Sequence, residues 1–216
     1  VTMTGDASLS RRPMGRVLKP LRQMGLLTRE DRDTLPLTVE GSSHLVPIEY
    51  VLPVPSAQVK SAILIAGLMA AGETTVIEKE ATRDHTERML RYFGAHVQTE
   101  VTDGLTRITV HGEAELEGRD VVVPGDPSSA AFLICAALLV PGSDVTVEGV
   151  LVNETRTGLY MTLQDMGADI TLMNRREEGG EPIADIRARH SRLQGVHVPA
   201  RRAPSMIDEY PVLAAV

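Results

Sequence analysis

The run Pro127-Ser-Ser-Ala-Ala-Phe-Leu-Ile-Cys-Ala-Ala-Leu-Leu139 predicts a helix that has Pro and Ser at its start and no polar face. A run of the same pattern lies earlier in the chain, at Pro55-Ser-Ala-Gln-Val-Lys-Ser-Ala-Ile-Leu-Ile-Ala-Gly67, and a third begins at Pro204. Helices that are apolar all round are buried ones, so we expect the two complete runs to be buried on all sides. Self-similarity at a regular spacing indicates a fold built from repeated units.

A second element recurs in phase with these helices. It consists of an arginine, an amphipathic helical stripe and a glycine, and its copies are Arg12–Gly25, Arg83–Gly94 and Arg156–Gly167. The glycine follows the last apolar position, where a left-handed C-terminal cap belongs. With the β-rich stretches between the helices, one repeat reads strand, apolar helix, strand, amphipathic helix and two strands. This order predicts an α/β (α+β) fold with helices packed on sheets.

Composition excludes several classes of protein. Hydrophobic residues make up 43% of the 216 and charged residues 24%, as in folded globular chains. The net charge of −7 argues against a surface for DNA or anionic lipid, and the 3% of aromatic residues argues against base stacking. We therefore expect neither a nucleic-acid nor a membrane partner.

The single cysteine, Cys135, lies in an apolar run and predicts a core thiol in a reducing compartment, and no secretory signal is visible, so we expect a cytoplasmic protein. The six histidines show no pair at helical ligand spacing, and neither GxGxxG nor GxxxxGK[ST] occurs. We expect no metal site and no cofactor.

The starts of the apolar helices are the candidate functional positions. Ser56, Ser128 and Ser205 stand where a serine caps a helix, and helix N-termini also bind anions. Both interpretations, simple caps and an anion site, are open on this pattern. Arg12 and Arg83 open the amphipathic helices at the end that disfavours a cation, so an anionic ligand would explain them, although a structural role would too.

The motifs TGDASLSRRPMG, PSAQVKSA, TRDHTERMLRYFGA, VPGDPSSAAF, TRTGLYMTLQDMGADI and RAPSMIDEYPVLA carry a specific resemblance. Together they resemble the middle half of bacterial enolpyruvylshikimate-phosphate synthases, and within these the glyphosate-tolerant class. The resemblance implies two barrel-like, inside-out α/β domains, each of three βαβαββ units around buried apolar helices. It places the domain crossover near Val123-Pro124, so that residues 1–123 are the later part of one domain and 124–216 the first part of the next.

The resemblance also implies a reaction: transfer of the enolpyruvyl group of phosphoenolpyruvate to the 5-hydroxyl of shikimate 3-phosphate, with release of phosphate. The residues that it assigns to shikimate 3-phosphate are Ser56, Ala57 and Gln58 of SAQ, Arg83 of TRDHT and Asp208 of MIDEYP. It assigns phosphoenolpyruvate to Arg12, directly before Pro13, and to Gln58, with Arg11 the weaker choice. Asp208 is its acid–base carboxylate, although acids in the first turn of a helix are also common for dipole reasons alone.

Other interpretations stay open beside this one. The chain starts with Val1 and stops inside an apolar run, so we expect a segment of a longer protein, inactive alone and monomeric when complete. A sister enzyme that acts on a UDP-amino sugar shares the fold but uses a loop cysteine, and the cysteine here lies in an apolar helix. A catalytically silent binding module of the same fold is the other alternative.

Overall fold

The computed structural model describes residues 1–216. Its contacts divide the chain into two units, Val1–Gly118 and Arg119–Val216, and each is described by itself. The division falls at Gly118, whereas the crossover near Val123-Pro124 follows from the resemblance and stays a prediction.

The first unit begins with a small antiparallel sheet and one helix. In chain order its elements are β1 (Thr2–Met3), α1 (Gly15–Gln23), β2 (Leu27–Thr28) and β3 (Leu37–Glu40). The strand order is β1-β3-β2, and Leu18, Leu35 and Leu37 form a small core between α1 and the sheet.

The rest of the first unit is one complete repeat. Its elements are β4 (Glu49–Val51), α2 (Ala57–Gly67), β5 (Glu73–Glu78), α3 (His85–Tyr92), β6 (Val97–Thr102) and β7 (Leu105–His111). The sheet order is β4-β5-β7-β6, in which β4 and β5 are parallel and the other pairs antiparallel. The predicted order of strand, apolar helix, strand, amphipathic helix and two strands is confirmed here.

The second unit repeats this order. Its elements are α4 (Pro127–Leu139), β8 (Asp144–Leu151), α5 (Gly158–Asp165), β9 (Asp169–Glu178), β10 (Glu181–Arg189) and the short α6 (Tyr210–Leu213). The antiparallel sheet has the order β8-β10-β9. A single parallel bridge between Gly125 and Val150 stands where the first strand of the repeat belongs.

Glycines end the amphipathic helices as expected. Gly25, Gly94 and Gly167 have φ angles of 105°, 93° and 94°, which only glycine adopts without strain. Each turns the chain from its helix towards the next strand, so the spacing of these residues sets the length of the repeat.

The apolar helices are buried along one face rather than on all sides, which corrects the prediction. In α4, Ala131, Ile134 and Leu138 are fully buried, but Phe132 and Leu133 are 64% and 57% exposed. In α2, Ile65 is 55% exposed. A single sheet covers only the face of a helix that meets it, and the opposite face needs a further layer. Neither helix has the length that a membrane crossing requires, and the same holds for the others.

A close backbone approach holds α2 against the sheet of the first unit. A Cβ atom at Gly112 would lie 1.6 Å from the carbonyl oxygen of Ala70 and 2.7 Å from that of Gly67. We expect Gly112→Ala to lower the free energy of unfolding by about 1–3 kcal/mol, because backbone atoms must move apart. Thermal unfolding checks this against Gly41→Ala, where the added methyl group meets nothing within 4 Å. Equal midpoints for the two variants would contradict the packing described.

Candidate functional site

The N-terminus of α2 carries three of the predicted site residues. Ser56 caps the helix, because its Oγ accepts a hydrogen bond of 3.3 Å from the amide of Val59. The predicted cap is confirmed. Ala57 is half-buried, and Gln58 is exposed. The amide groups of the first turn therefore lie at an open end of the helix, where partial positive charge favours an anion.

Arg16 is a contact of this site that sequence reasoning missed. It lies in the first turn of α1, and its Nη2 donates a hydrogen bond of 3.1 Å to Oε1 of Gln58. The bond fixes which end of the Gln58 amide faces Arg16, and it leaves the amide nitrogen as a donor directed elsewhere. The residues before Arg16 include Arg12, so this contact also brings the RRPMG motif towards α2.

A buried ion cluster lies one turn into α2. The Nζ of Lys60 is 3.2 Å from Oε2 of Glu78 and 2.7 Å from Oε1 of Glu87, and all three side chains are 1–3% exposed. Thr82 Oγ1 donates a hydrogen bond to Glu78 Oε1. Sequence reasoning missed this cluster; a single lysine in an otherwise apolar run was the available signal.

The cluster ties the segment that carries Arg83 to α2. Arg83 is half-buried and lies two residues before α3, between Thr82 and Glu87. A further hydrogen bond of 2.6 Å joins Ser61 of α2 to Thr86. Contacts on both sides of Arg83 therefore hold its backbone against the same helix that Ser56 caps. This is how the structure brings the SAQ and TRDHT motifs together.

Arg12 stands apart from these contacts. It follows a 3-10 turn, Leu9–Arg11, and precedes α1 by three residues, so it does not open the helix as predicted. Its side chain is exposed and makes no ion pair. An unpaired, exposed guanidinium is available to an anion, but no contact of Arg12 itself places it beside Ser56 or Gln58.

In the second unit the predicted serine caps are wrong. The carboxylate of Asp126 caps α4 and accepts hydrogen bonds from the amides of Ser128 and Ser129, at 3.3 and 2.9 Å. Burial opposes its ionisation, but the hydrogen bonds from Ser129 and Ser128 outweigh this and lower the pKa of Asp126. Ser205 ends a 3-10 turn, Ala200–Ser205, and donates to the carbonyl of Arg202.

Asp208 lies before the last helix rather than in its first turn. It is exposed in a 3-10 turn, Ile207–Glu209, and α6 begins at Tyr210. The next residue, Glu209, is only 3% exposed. Asp208 and the first-unit residues belong to different units, so a common site for them stays a prediction.

The state of the single cysteine and the question of a metal site also bear on the chemistry. Cys135 is 3% exposed in α4, and burial raises the pKa of its thiol to about 11, which makes it a poor proton donor for catalysis. No three His, Cys, Asp or Glu side chains cluster in a way that could hold a metal ion.

Comparisons with known proteins all indicate the same family. A family model described as "EPSP synthase (3-phosphoshikimate 1-carboxyvinyltransferase)" matches residues 1–216. A relative from Chelativorans sp. (strain BNC1), named "3-phosphoshikimate 1-carboxyvinyltransferase", is 61% identical over 98% of this chain and 48% of its own. A relative of the same name from Mesorhizobium japonicum is 58% identical over 99% of this chain and 48% of its own. The chain spans about half the length of the curated relatives that it matches.

Solved structures agree. An EPSP synthase from Acinetobacter baumannii superimposes with a TM-score of 0.89 at 51% identity, over 98% of this chain and 47% of that one. The enolpyruvyl transferase NikO from Streptomyces tendae has a TM-score of 0.67 at 19% identity, over 90% of this chain and 46% of that one, and shows the fold alone. The predicted enolpyruvyl transferase fold is confirmed.

Proposed function

The chain belongs to the EPSP synthase family, and on that premise we propose that it forms about half of a 3-phosphoshikimate 1-carboxyvinyltransferase. This enzyme transfers the enolpyruvyl group of phosphoenolpyruvate to the 5-hydroxyl of shikimate 3-phosphate and releases phosphate, a step towards aromatic amino acids. The observation that carries the proposal is the match to the family over all 216 residues. The complete protein is the longer chain, about twice this length, that the relatives indicate.

Shikimate 3-phosphate binds, in this proposal, at the start of α2. Ser56 and Ala57 present the helix N-terminus to the anion, Gln58 offers an amide, and Arg83 supplies charge. Two observations support this binding position. Ser56 caps the helix, and the ion cluster of Lys60 holds the Arg83 segment to the same helix. Arg83 can meet a phosphate with two parallel hydrogen bonds, which fixes orientation as well as charge.

Phosphoenolpyruvate is held by Arg12 and Gln58. The exposed guanidinium of Arg12 has no carboxylate partner of its own, which supports a role towards an external anion. Gln58 is oriented by Arg16, so its amide can contact both substrates. Two substrates that each carry a phosphate and a carboxylate need several such cationic and amide groups, and no metal is required to bind them.

Asp208 is the acid–base group at the 5-hydroxyl. The hydroxyl oxygen attacks C2 of phosphoenolpyruvate and gives up its proton to the carboxylate, while the C3 methylene gains a proton. The tetrahedral adduct then loses a proton from that methyl group and expels phosphate, which restores the double bond. A carboxylate at the hydroxyl suits general base catalysis in the first step.

Turnover tests the proposal. We expect the complete protein to release one phosphate per shikimate 3-phosphate consumed, and only when phosphoenolpyruvate is also present. We expect the 216-residue chain alone to release none, because only part of the charged groups needed for two anionic substrates lies within it. Release that needs only one substrate, or activity of the isolated chain, would contradict the proposal.

Finer features of the complete protein are part of the proposal. It belongs to the glyphosate-tolerant class, on the resemblance of its motifs, and it acts as a monomer in the cytoplasm. The cytoplasmic location is supported by the free, buried Cys135 of the present chain. Inhibition by glyphosate and size-exclusion chromatography check the first two. The sister activity on a UDP-amino sugar is disfavoured, because Cys135 is buried in α4. A catalytically silent binding module would release no phosphate, whether or not it binds shikimate 3-phosphate.

A further inference from the structure

A buried polar network surrounds Glu209, the neighbour of Asp208. Ser128 Oγ donates a hydrogen bond of 2.5 Å to Glu209 Oε1, and Arg156 Nη2 donates one of 2.7 Å to Ser128 Oγ. The same Nη2 lies 3.4 Å from Glu209 Oε1. The side chains of Glu209 and Arg156 are 3% and 11% exposed, so this is a buried charge pair with a hydroxyl between its members.

The network occupies the repeat position that corresponds to the proposed anion site of the first unit. Ser128 and Arg156 hold the places in the second repeat that Ser56 and Arg83 hold in the first. In the first unit Ser56 caps its helix. In the second unit Asp126 caps α4 from two positions before Ser128, so the hydroxyl of Ser128 is free to donate to Glu209. The second unit therefore binds one of its own carboxylates with its copy of the serine and arginine.

Further contacts fix the segment that leads to Asp208. A Cβ atom at Gly158 would lie 2.3 Å from Ser205 Oγ and 3.0 Å from Met206 Cβ, so the start of α5 packs directly on this segment. Arg202 Nη1 donates a hydrogen bond of 2.7 Å to Asp165 of α5. With residues 202–206 and Glu209 both held, the backbone of the 3-10 turn between them has little freedom, and its one exposed acid is Asp208.

We propose that Glu209 is a positioning residue for Asp208, held in place by Ser128 and Arg156. The inference rests on the proposed function and deepens it, because it explains how an exposed carboxylate on a short turn keeps a defined position. Glu209 itself touches no substrate. It acts by anchoring the turn, so its loss changes the rate only through Asp208.

Steady-state kinetics of the complete protein test this with a double-mutant cycle. We expect Glu209→Ala to lower kcat by roughly 10- to 100-fold, because a misplaced catalytic group loses its alignment. In a protein that already carries Asp208→Asn, the same change should alter kcat by less than about twofold, since coupled residues are not additive. Glu209→Gln keeps the acceptor oxygen for Ser128 and should retain most of the wild-type kcat.

Two further variants keep the test decisive if Glu209→Ala does not fold. Ser128→Ala removes one hydrogen bond of the network and should lower kcat in the same non-additive way. Leu138→Ala, a fully buried change elsewhere in α4, should lower the thermal midpoint yet leave kcat within about threefold of wild type, since it removes packing and no catalytic alignment.

Several outcomes would overturn the proposal. Additive effects of the Glu209 and Asp208 substitutions would leave Glu209 a structural residue while the proposed function stands. The same conclusion would follow if Leu138→Ala lowered kcat as much as Glu209→Ala does at a similar loss of thermal midpoint. Absence of phosphate release in the wild-type protein would overturn the proposed function and this inference together.

Discussion

We expect Asp208→Asn in the complete protein to lower kcat by about 10²- to 10⁴-fold, the range over which a positioned acid–base group contributes. The amide has the shape of the carboxylate but cannot take the proton of the 5-hydroxyl. Because Asp208 is exposed in its unit, the thermal midpoint should stay close to that of wild type, as for other surface substitutions. Phosphate release under saturating substrates measures the effect.

Asp144→Asn is the matched control. Asp144 is another exposed carboxylate of the second unit, paired with the equally exposed Arg187. Its substitution should leave kcat within about twofold, since an exposed ion pair contributes little. An Asp208→Asn variant that keeps nearly the wild-type kcat would remove Asp208 from the mechanism, whatever its binding properties.

Lys60→Ala should destabilise the first unit more than any surface substitution. It leaves two carboxylates, Glu78 and Glu87, buried without their common cation, and breaking a buried ion pair in this way costs about 3–5 kcal/mol. Chemical denaturation of the complete protein, followed by circular dichroism, measures the loss. Because the cluster anchors the Arg83 segment, binding of shikimate 3-phosphate should weaken as well.

The control for this experiment lies on the same segment. Lys79 is exposed beside Glu78, and Lys79→Ala should change the free energy of unfolding by no more than about 0.5 kcal/mol. A second comparison is Lys60→Met with Glu78→Gln and Glu87→Gln, which removes the charges together and should recover part of the loss. If Lys60→Ala were no more destabilising than Lys79→Ala, the cluster would not hold this unit together.

The architecture could be predicted from the sequence because it follows from local rules. Apolar and amphipathic helices alternate with β-branched stretches at a regular spacing, and Gly25, Gly94 and Gly167 mark the helix ends. These signals depend on backbone conformation and periodicity within short windows of sequence. The structure confirms the resulting repeat in both units.

The details that escaped prediction depend on contacts between distant residues. The serine–proline starts look alike in sequence, yet Ser56 caps its helix and Ser128 donates to Glu209, far along the chain. The difference arises from Asp126, which outcompetes Ser128 as a cap. The pairing of Lys60 with Glu78 and Glu87 likewise depends on how α2 meets β5 and α3, which a single lysine does not reveal.

Exposure of the apolar helices was also beyond prediction from the sequence. A helix without a polar face indicates burial, but it does not say how many layers cover it. Phe132 and Leu133 lie on the face of α4 that the sheet of its own unit leaves open. The candidate site residues came chiefly from the resemblance, since small polar residues at helix starts are equally typical of ordinary caps.

The central claim is that shikimate 3-phosphate binds at the start of α2 with Arg83 as a cationic partner. Calorimetric titration of the complete protein with shikimate 3-phosphate tests this most directly, because it measures Kd itself. The proteins compared are wild type, Arg83→Gln and Lys79→Gln, in which an exposed lysine is replaced. We expect wild type and Lys79→Gln to bind with similar Kd values. Arg83→Gln should raise Kd by about 10- to 100-fold, since a hydrogen bond to a charged group is worth about 1.5–3 kcal/mol. No binding by wild type, or equal Kd values for wild type and Arg83→Gln, would contradict an anion site at the start of α2.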